Sequence, residues 1–104
     1  MTKIISLKKF AGEFAENKDI AKQLRVEILM PELSKRKEVI MDFKGVKGAT
    51  QSFIHALVSD PIREYKDIAF EKLAYKHCND SVKEIIAIVY RYMQESMHGD
   101  NPNV

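Results

Sequence analysis

Cysteine is almost missing from this sequence: Cys78 stands alone. One thiol cannot form an intrachain disulfide, and by itself it cannot build a cysteine-based zinc site. The chain therefore fits a reducing compartment, and a cytoplasmic location is expected. Long apolar runs are missing as well. The opening stretch MTKIISLKKF holds a run too short for a signal-peptide core or a membrane span, so no membrane association is expected. Neither sign of charge is in excess: 17 Lys and Arg face 15 Asp and Glu, for a net charge of +2. A dedicated nucleic-acid binder would be further out of balance, so nucleic acid is not an expected partner. The one basic cluster, Lys35, Arg36 and Lys37, reads as a solvated helix end, where cations suit the dipole. There is no internal repeat, low-complexity tract or interdomain linker.

Several chemical signatures are also absent. Gly45 and Gly48 give GVKG, which is neither a dinucleotide fingerprint nor a P-loop. GATQS lacks the nucleophile-elbow pattern. Asp42 has no second carboxylate at a metal-binding spacing and reads instead as a cap for loop N–H groups. His77 and Cys78 adjoin at a strand end, where neighbours point to opposite faces. His98 falls in the tail. No metal, no cofactor and no catalytic residue are expected.

What remains is enough for one compact domain of 104 residues. Lys3 to Leu7 reads as a first strand and Lys8 to Glu16 as a loop that Phe10 and Phe14 anchor to the core. Asn17 is a suitable N-cap for a helix in which Ile20, Leu24 and Ile28 share a face with Ala21. Pro31 either starts a second short turn or kinks that helix at Met30. Glu38 to Phe43 reads as a central strand covered on both faces. Gly45 and Gly48 bracket a turn, and Thr50, Gln51 and Ser52 open a helix running to about Tyr65, with a break or kink expected at Asp60 before Pro61. Residues 66–71 read as a helical turn, Leu73 to Cys78 as the third strand, and Asn79, Asp80 and Ser81 as caps for a final helix. Phe10, Phe14, Phe43, Phe53 and Phe70 are spaced as core residues. The fold class is α/β: β-α-β-α-β-α, a short, mainly parallel sheet flanked by helices, over residues 1–98. Residues 99–104 read as a flexible tail. Either sheet edge could pair with a second copy, giving a homodimer, or with a partner protein.

The working surface is expected where VIMDFKGVKGATQSFIHAL passes from strand through loop to helix. Helix starts carry free N–H groups and partial positive charge. Ser52 could take a phosphate there, or Ser52 or Thr50 could simply cap the helix. His55, one turn on, pairs with Ser52 at helical spacing, which raises a Ser/His enzyme as an alternative, though no third orienting group is evident.

The stretches GEF, LR, DFKGV, SF and YKHCN, read together, resemble a bacterial STAS-like domain family of unknown function, over nearly the whole chain. Through that family the chain is more distantly similar to STAS domains, the anti-sigma factor antagonists, in which a D-S-[ST]-G helix start is phosphorylated by a partner kinase. The resemblance puts Thr50 at the aspartate, Gln51 at the preceding serine, Ser52 at the phosphorylated position and Phe53 at the glycine, where it adds bulk. It implies a reduced STAS-like domain that acts as a regulatory protein-interaction module. The expected partner is a protein, such as a GHKL-type kinase or ATPase. The expected contact surface is Gly45, Lys47, Gly48, Thr50, Gln51, Ser52 and His55, with Ser52 as the switch. The alternative is a small regulator in a defence or transcription system.

Overall fold

The computed structural model describes residues 2–99, with side chains up to Glu95. Strands β1 (Lys3–Ser6), β3 (Val39–Asp42) and β5 (Leu73–Lys76) form a parallel sheet in the order β1-β3-β5. Ile5, Met41 and Tyr75 lie abreast in one row, and Ile4, Ile40 and Ala74 in the next. Successive residues of a strand face opposite ways, so the two rows lie on opposite faces. Because the strands add in chain order, right-handed crossovers return every intervening helix to the same face. The core bears this out. Ile5, Val39, Met41 and Leu73 pack with helix residues, whereas Ile4, Ile40 and Ala74 stay outside that cluster. Ile4 is 63% exposed, and Ile40, between its strand neighbours, is 9% exposed. β3 is buried on both faces, as expected, with Val39 and Met41 at 0% and Ile40 at 9% exposure, although Ile40 lies outside the cluster that packs with the helices. The unbroken apolar run matches that two-sided burial.

Helix α2 (Lys18–Leu24) starts at Asn17, whose Oδ1 accepts from the Asp19 amide at 2.9 Å and the Ile20 amide at 3.4 Å. A π turn, Arg25–Leu29, leads directly into α3 (Met30–Ser34). The helix therefore passes through Pro31 without stopping. Pro31 cannot donate to the Glu27 carbonyl, and its ring would crowd that oxygen in a normal turn. The wider turn, closed by the Met30 amide on the Arg25 carbonyl, gives it room. The same turn shifts the buried stripe. Ala21, Leu24, Leu29 and Leu33 are buried, whereas Ile28 is only partly so. A regular helix would have buried Ile28, as the sequence pattern implied.

Residues 8–16 are not a loop. They hold α1 (Leu7–Ala11), capped by Ser6, and β2 (Phe14–Ala15), which pairs in parallel with β4 (Gly48–Ala49). Leu7 and Ala15 anchor this segment, while Phe10 and Phe14 are exposed rather than buried. A two-residue strand has no periodicity to read.

Helix α4 (Gln51–Tyr65) also runs through its proline unbroken. Pro61 is buried and Ile62 continues the core face. Just ahead of it, the Arg25 guanidinium bonds the Ala56 carbonyl at 3.0 Å and pairs with Asp60 at 3.5 Å, tying α4 to the π turn. Residues 67–72 form a helix, α5 (Asp67–Lys72), in keeping with the helical-turn reading. Strand β5 stops at Lys76 because His77 takes a left-handed conformation, φ 58°. Helix α6 (Asp80–Gly99) follows. His98 and Gly99, expected in the tail, belong to this helix, and the rest of the expected tail, residues 100–104, lies outside the described residues.

The register separates two adjacent isoleucines by face. Ile5→Ala is expected to cost about 2–5 kcal/mol as a core truncation, and Ile4→Ala less than about 0.5 kcal/mol as a surface one. Urea unfolding of the two variants measures this; equal losses would contradict a helix-free second face.

Candidate functional site

The turn after β3 is built by a few backbone bonds. Gly45 has φ 84°, and a Cβ there would lie 2.6 Å from the Lys8 side chain, so glycine suits the position twice over. The Val46 amide returns to the Phe43 carbonyl at 2.9 Å, and its side chain is buried beneath the turn. The Lys47 and Gly48 amides both donate to the Glu13 carbonyl, at 2.7 and 3.3 Å, and the Thr50 amide donates to Ala15 at 3.0 Å. On the other side Asn79 Nδ2 donates to the Lys47 carbonyl at 2.9 Å, while its Oδ1 accepts from the Val82 amide and caps α6. Of the three candidate caps Asn79 fills the role. The corner is therefore less rich in free amides than expected, since Glu13 and Ala15 take those of the loop.

The free groups lie one step further on. Thr50 Oγ1 accepts from the Phe53 amide at 3.0 Å, and the Ile54 amide reaches the Thr50 carbonyl at 3.2 Å. Thr50, not Ser52, is the cap. Gln51 and Ser52 occupy the first two helical positions, both exposed, where a helix has N–H groups without internal partners. Phe53 is fully buried. Its bulk points inward and leaves the outer side of the backbone clear, contrary to the obstruction expected from its place at the glycine.

Ser52 and His55 share a cleft of about 580 Å3 with Lys18, Gln51, Val89 and Tyr92. The His55 ring meets Tyr92 edge-on, centroids 6.1 Å apart. Among the described residues no hydrogen bond joins Ser52 to His55, and no carboxylate orients the imidazole. The two side chains thus share a cleft without the hydrogen bond that marks an activated nucleophile in this structure. A smaller depression adjoins it, lined by Phe14, Gly48, Thr50 and Ile85. Phe14 and Tyr92, 59% and 57% exposed, thus flank the start of α4. Sequence reading missed both, because it placed Phe14 in the core and gave Tyr92 no role.

At the carboxyl end of the sheet, Asp42 Oδ1 accepts from the Lys44 amide at 2.9 Å, as a loop cap should, and also meets His77 Nδ1 at 2.9 Å. The histidine contact was not foreseen. It follows from register: Asp42 lies abreast of Lys76, and the left-handed turn at His77 brings the ring back over it. Ser6, Lys8, Lys9 and Lys44 surround this carboxylate in an open depression. Among the described residues no three His, Cys, Asp or Glu side chains gather as metal ligands, and no helix is long and apolar enough to cross a membrane.

The Lys44 amide first, and then His77, hold the Asp42 carboxyl below the usual carboxylate range. A lowered folded-state pKa means that this contribution is complete above the unfolded-state value, about pH 4, and disappears as pH falls through the folded-state value. Acid titration followed by circular dichroism is expected to show a loss of stability in that window, and Asp42→Asn is expected to flatten it. A variant with the parent's acid slope would show that Asp42 contributes nothing there.

Searches of curated proteins and of solved structures find no match. The model of one family, the STAS-like domain of unknown function (DUF4325), matches residues 20–83. That span runs from α2 through β3, the corner and β5 into the first turn of α6. It is narrower than the resemblance drawn from the sequence, leaving out β1, β2 and most of α6. It covers more than half of the chain and includes every element that builds the corner except β2. This chain belongs to the family of STAS-like domains of unknown function.

Proposed function

We propose that this chain is a cytoplasmic regulatory module that docks a protein partner through the corner from Gly45 to His55, with Ser52 as its switch. One observation carries the reading. Two exposed aromatics, Phe14 and Tyr92, stand on either side of an exposed helix start. Exposed rings set around a polar centre are what protein contact surfaces are enriched in, and such residues supply most of the affinity. The corner beneath them is held by Glu13, Ala15 and Asn79, so little ordering would be lost on docking. The lone, free Cys78 supports the reducing compartment.

A phosphate on Ser52 would bring a charge of about −1.5 to −2. It would sit at the second position of a 15-residue helix, where the dipole favours an anion, with Lys18 in the same cleft. A partner of the GHKL kinase or ATPase type, as the STAS resemblance implies, would approach past Phe53, whose ring is out of the way. Through this switch the phosphate would add to or remove a contact without refolding the domain.

Affinity capture from native cells, with mass spectrometry of the partners and of Ser52, tests both halves. Phe14→Ser and Tyr92→Ser, both at exposed positions, are each expected to weaken capture by about 2 kcal/mol, roughly thirtyfold. Ser52→Asp is expected to change partner affinity, and Ser52→Ala to abolish the slow band on a phosphate-affinity gel. Full capture by both aromatic variants would overturn the docking surface. An unmodified Ser52, with Ser52→Asp binding as the parent does, would overturn the switch.

A further inference from the structure

A second cleft, of about 560 Å3, lies between β5 and α6, away from the corner. Strand β5 is an edge of the sheet, and no residue of β3 or α4 lines this cleft, so it opens on the outer side of the strand. Its walls are Ile86, Ala87 and the rings of Tyr75 and Tyr90, which meet edge-on at 5.7 Å between centroids. Lys83 stands on the same stripe of α6, at the rim.

The polar groups of this cleft do not balance. The Tyr75 and Tyr90 hydroxyls bond to each other. Two hydroxyls bring two hydrogens, and only one can lie between the two oxygens. Among the described residues neither hydroxyl has another partner, so one O–H is left to donate. Burial pushes both hydroxyls upward in pKa, which keeps both protonated at neutral pH. The Cys78 thiol is directed to the Lys76 carbonyl, and His77 Nδ1 to Asp42. What is left to meet a ligand is a spare O–H, the Lys83 ammonium and His77 Nε2, set in apolar walls. Small-molecule sites have this make-up: a mostly apolar cavity of a few hundred Å3 with a few fixed polar groups.

We infer that the cleft between β5 and α6 binds a small carboxylic acid with a flat apolar body. The body lies against Ile86, Ala87 and Tyr90, and the carboxylate accepts from the spare tyrosine O–H and from Lys83. The site is independent of Ser52.

The test is a titration of the nitrogen-15-labelled chain with 2-naphthoate, and with 2-naphthylmethanol as its uncharged counterpart, followed by two-dimensional NMR. The acid is expected to shift the amides of Tyr75, Cys78, Ala87 and Tyr90, and to bind more tightly than the alcohol. Tyr75→Phe combined with Tyr90→Phe keeps both rings, removes the spare O–H and is expected to weaken the acid about tenfold. Lys83→Met, at an exposed position that leaves folding intact, is expected to weaken it about threefold. No shift at these amides up to the solubility limit of 2-naphthoate would overturn the inference. So would equal affinities for acid and alcohol, or an unchanged affinity in Lys83→Met.

Discussion

Three parallel strands laid down in chain order leave the crossover helices only one face to occupy. That constraint governs the rest of the domain. With all the helices on one side, α4 must lie at the centre of the helical layer and bury nearly half of its residues: Phe53, Ile54, Leu57, Val58, Ser59, Pro61 and Ile62. A helix packed so deeply cannot bend at its proline without opening the core. Its first turn is fixed for the same reason, and with it the corner at the end of β3.

The corner then needs bracing, because a loop at the end of a small sheet has many backbone groups and few neighbours. The chain solves this with a segment that has little else to do. Between β1 and α2 it makes one short helix and a two-residue strand; Glu13, just before that strand, takes the Lys47 and Gly48 amides, and Ala15 within it takes the Thr50 amide. Asn79 closes the opposite side. The loop is thus held by parts of the chain far from it in sequence. At the Gln51 and Ser52 end of the helix, backbone N–H groups without internal partners face solvent.

Much of this was legible beforehand, for reasons that can be named. Asn17 and Thr50 are side chains with few other roles at those places, and both cap. The three strands were readable because each is a short apolar run. Sequence failed where tertiary contacts overrode local preference. Pro31 and Pro61 are helix breakers in isolation, yet one is relieved by a wide turn and the other is held by burial. Phe10 and Phe14 looked like core by composition, but the core was already filled by Leu7 and Ala15 beside them. The Asp42–His77 contact depends on register and on a left-handed residue, and neither leaves a pattern in the sequence.

The wide turn at Arg25–Leu29 has a consequence of its own. A π turn is an α turn with one residue too many, and the spacing from Leu24 to Leu29 records the surplus. Shortening the chain by one there would give a uniform helix with its apolar stripe still aligned, whereas the same loss elsewhere in α2 would swing the stripe by about 100°. The shortened helix would, however, press the ring of Pro31 against the carbonyl one turn back. Surplus residue and proline therefore form a matched pair, and losing the first while keeping the second would strain the helix at Pro31.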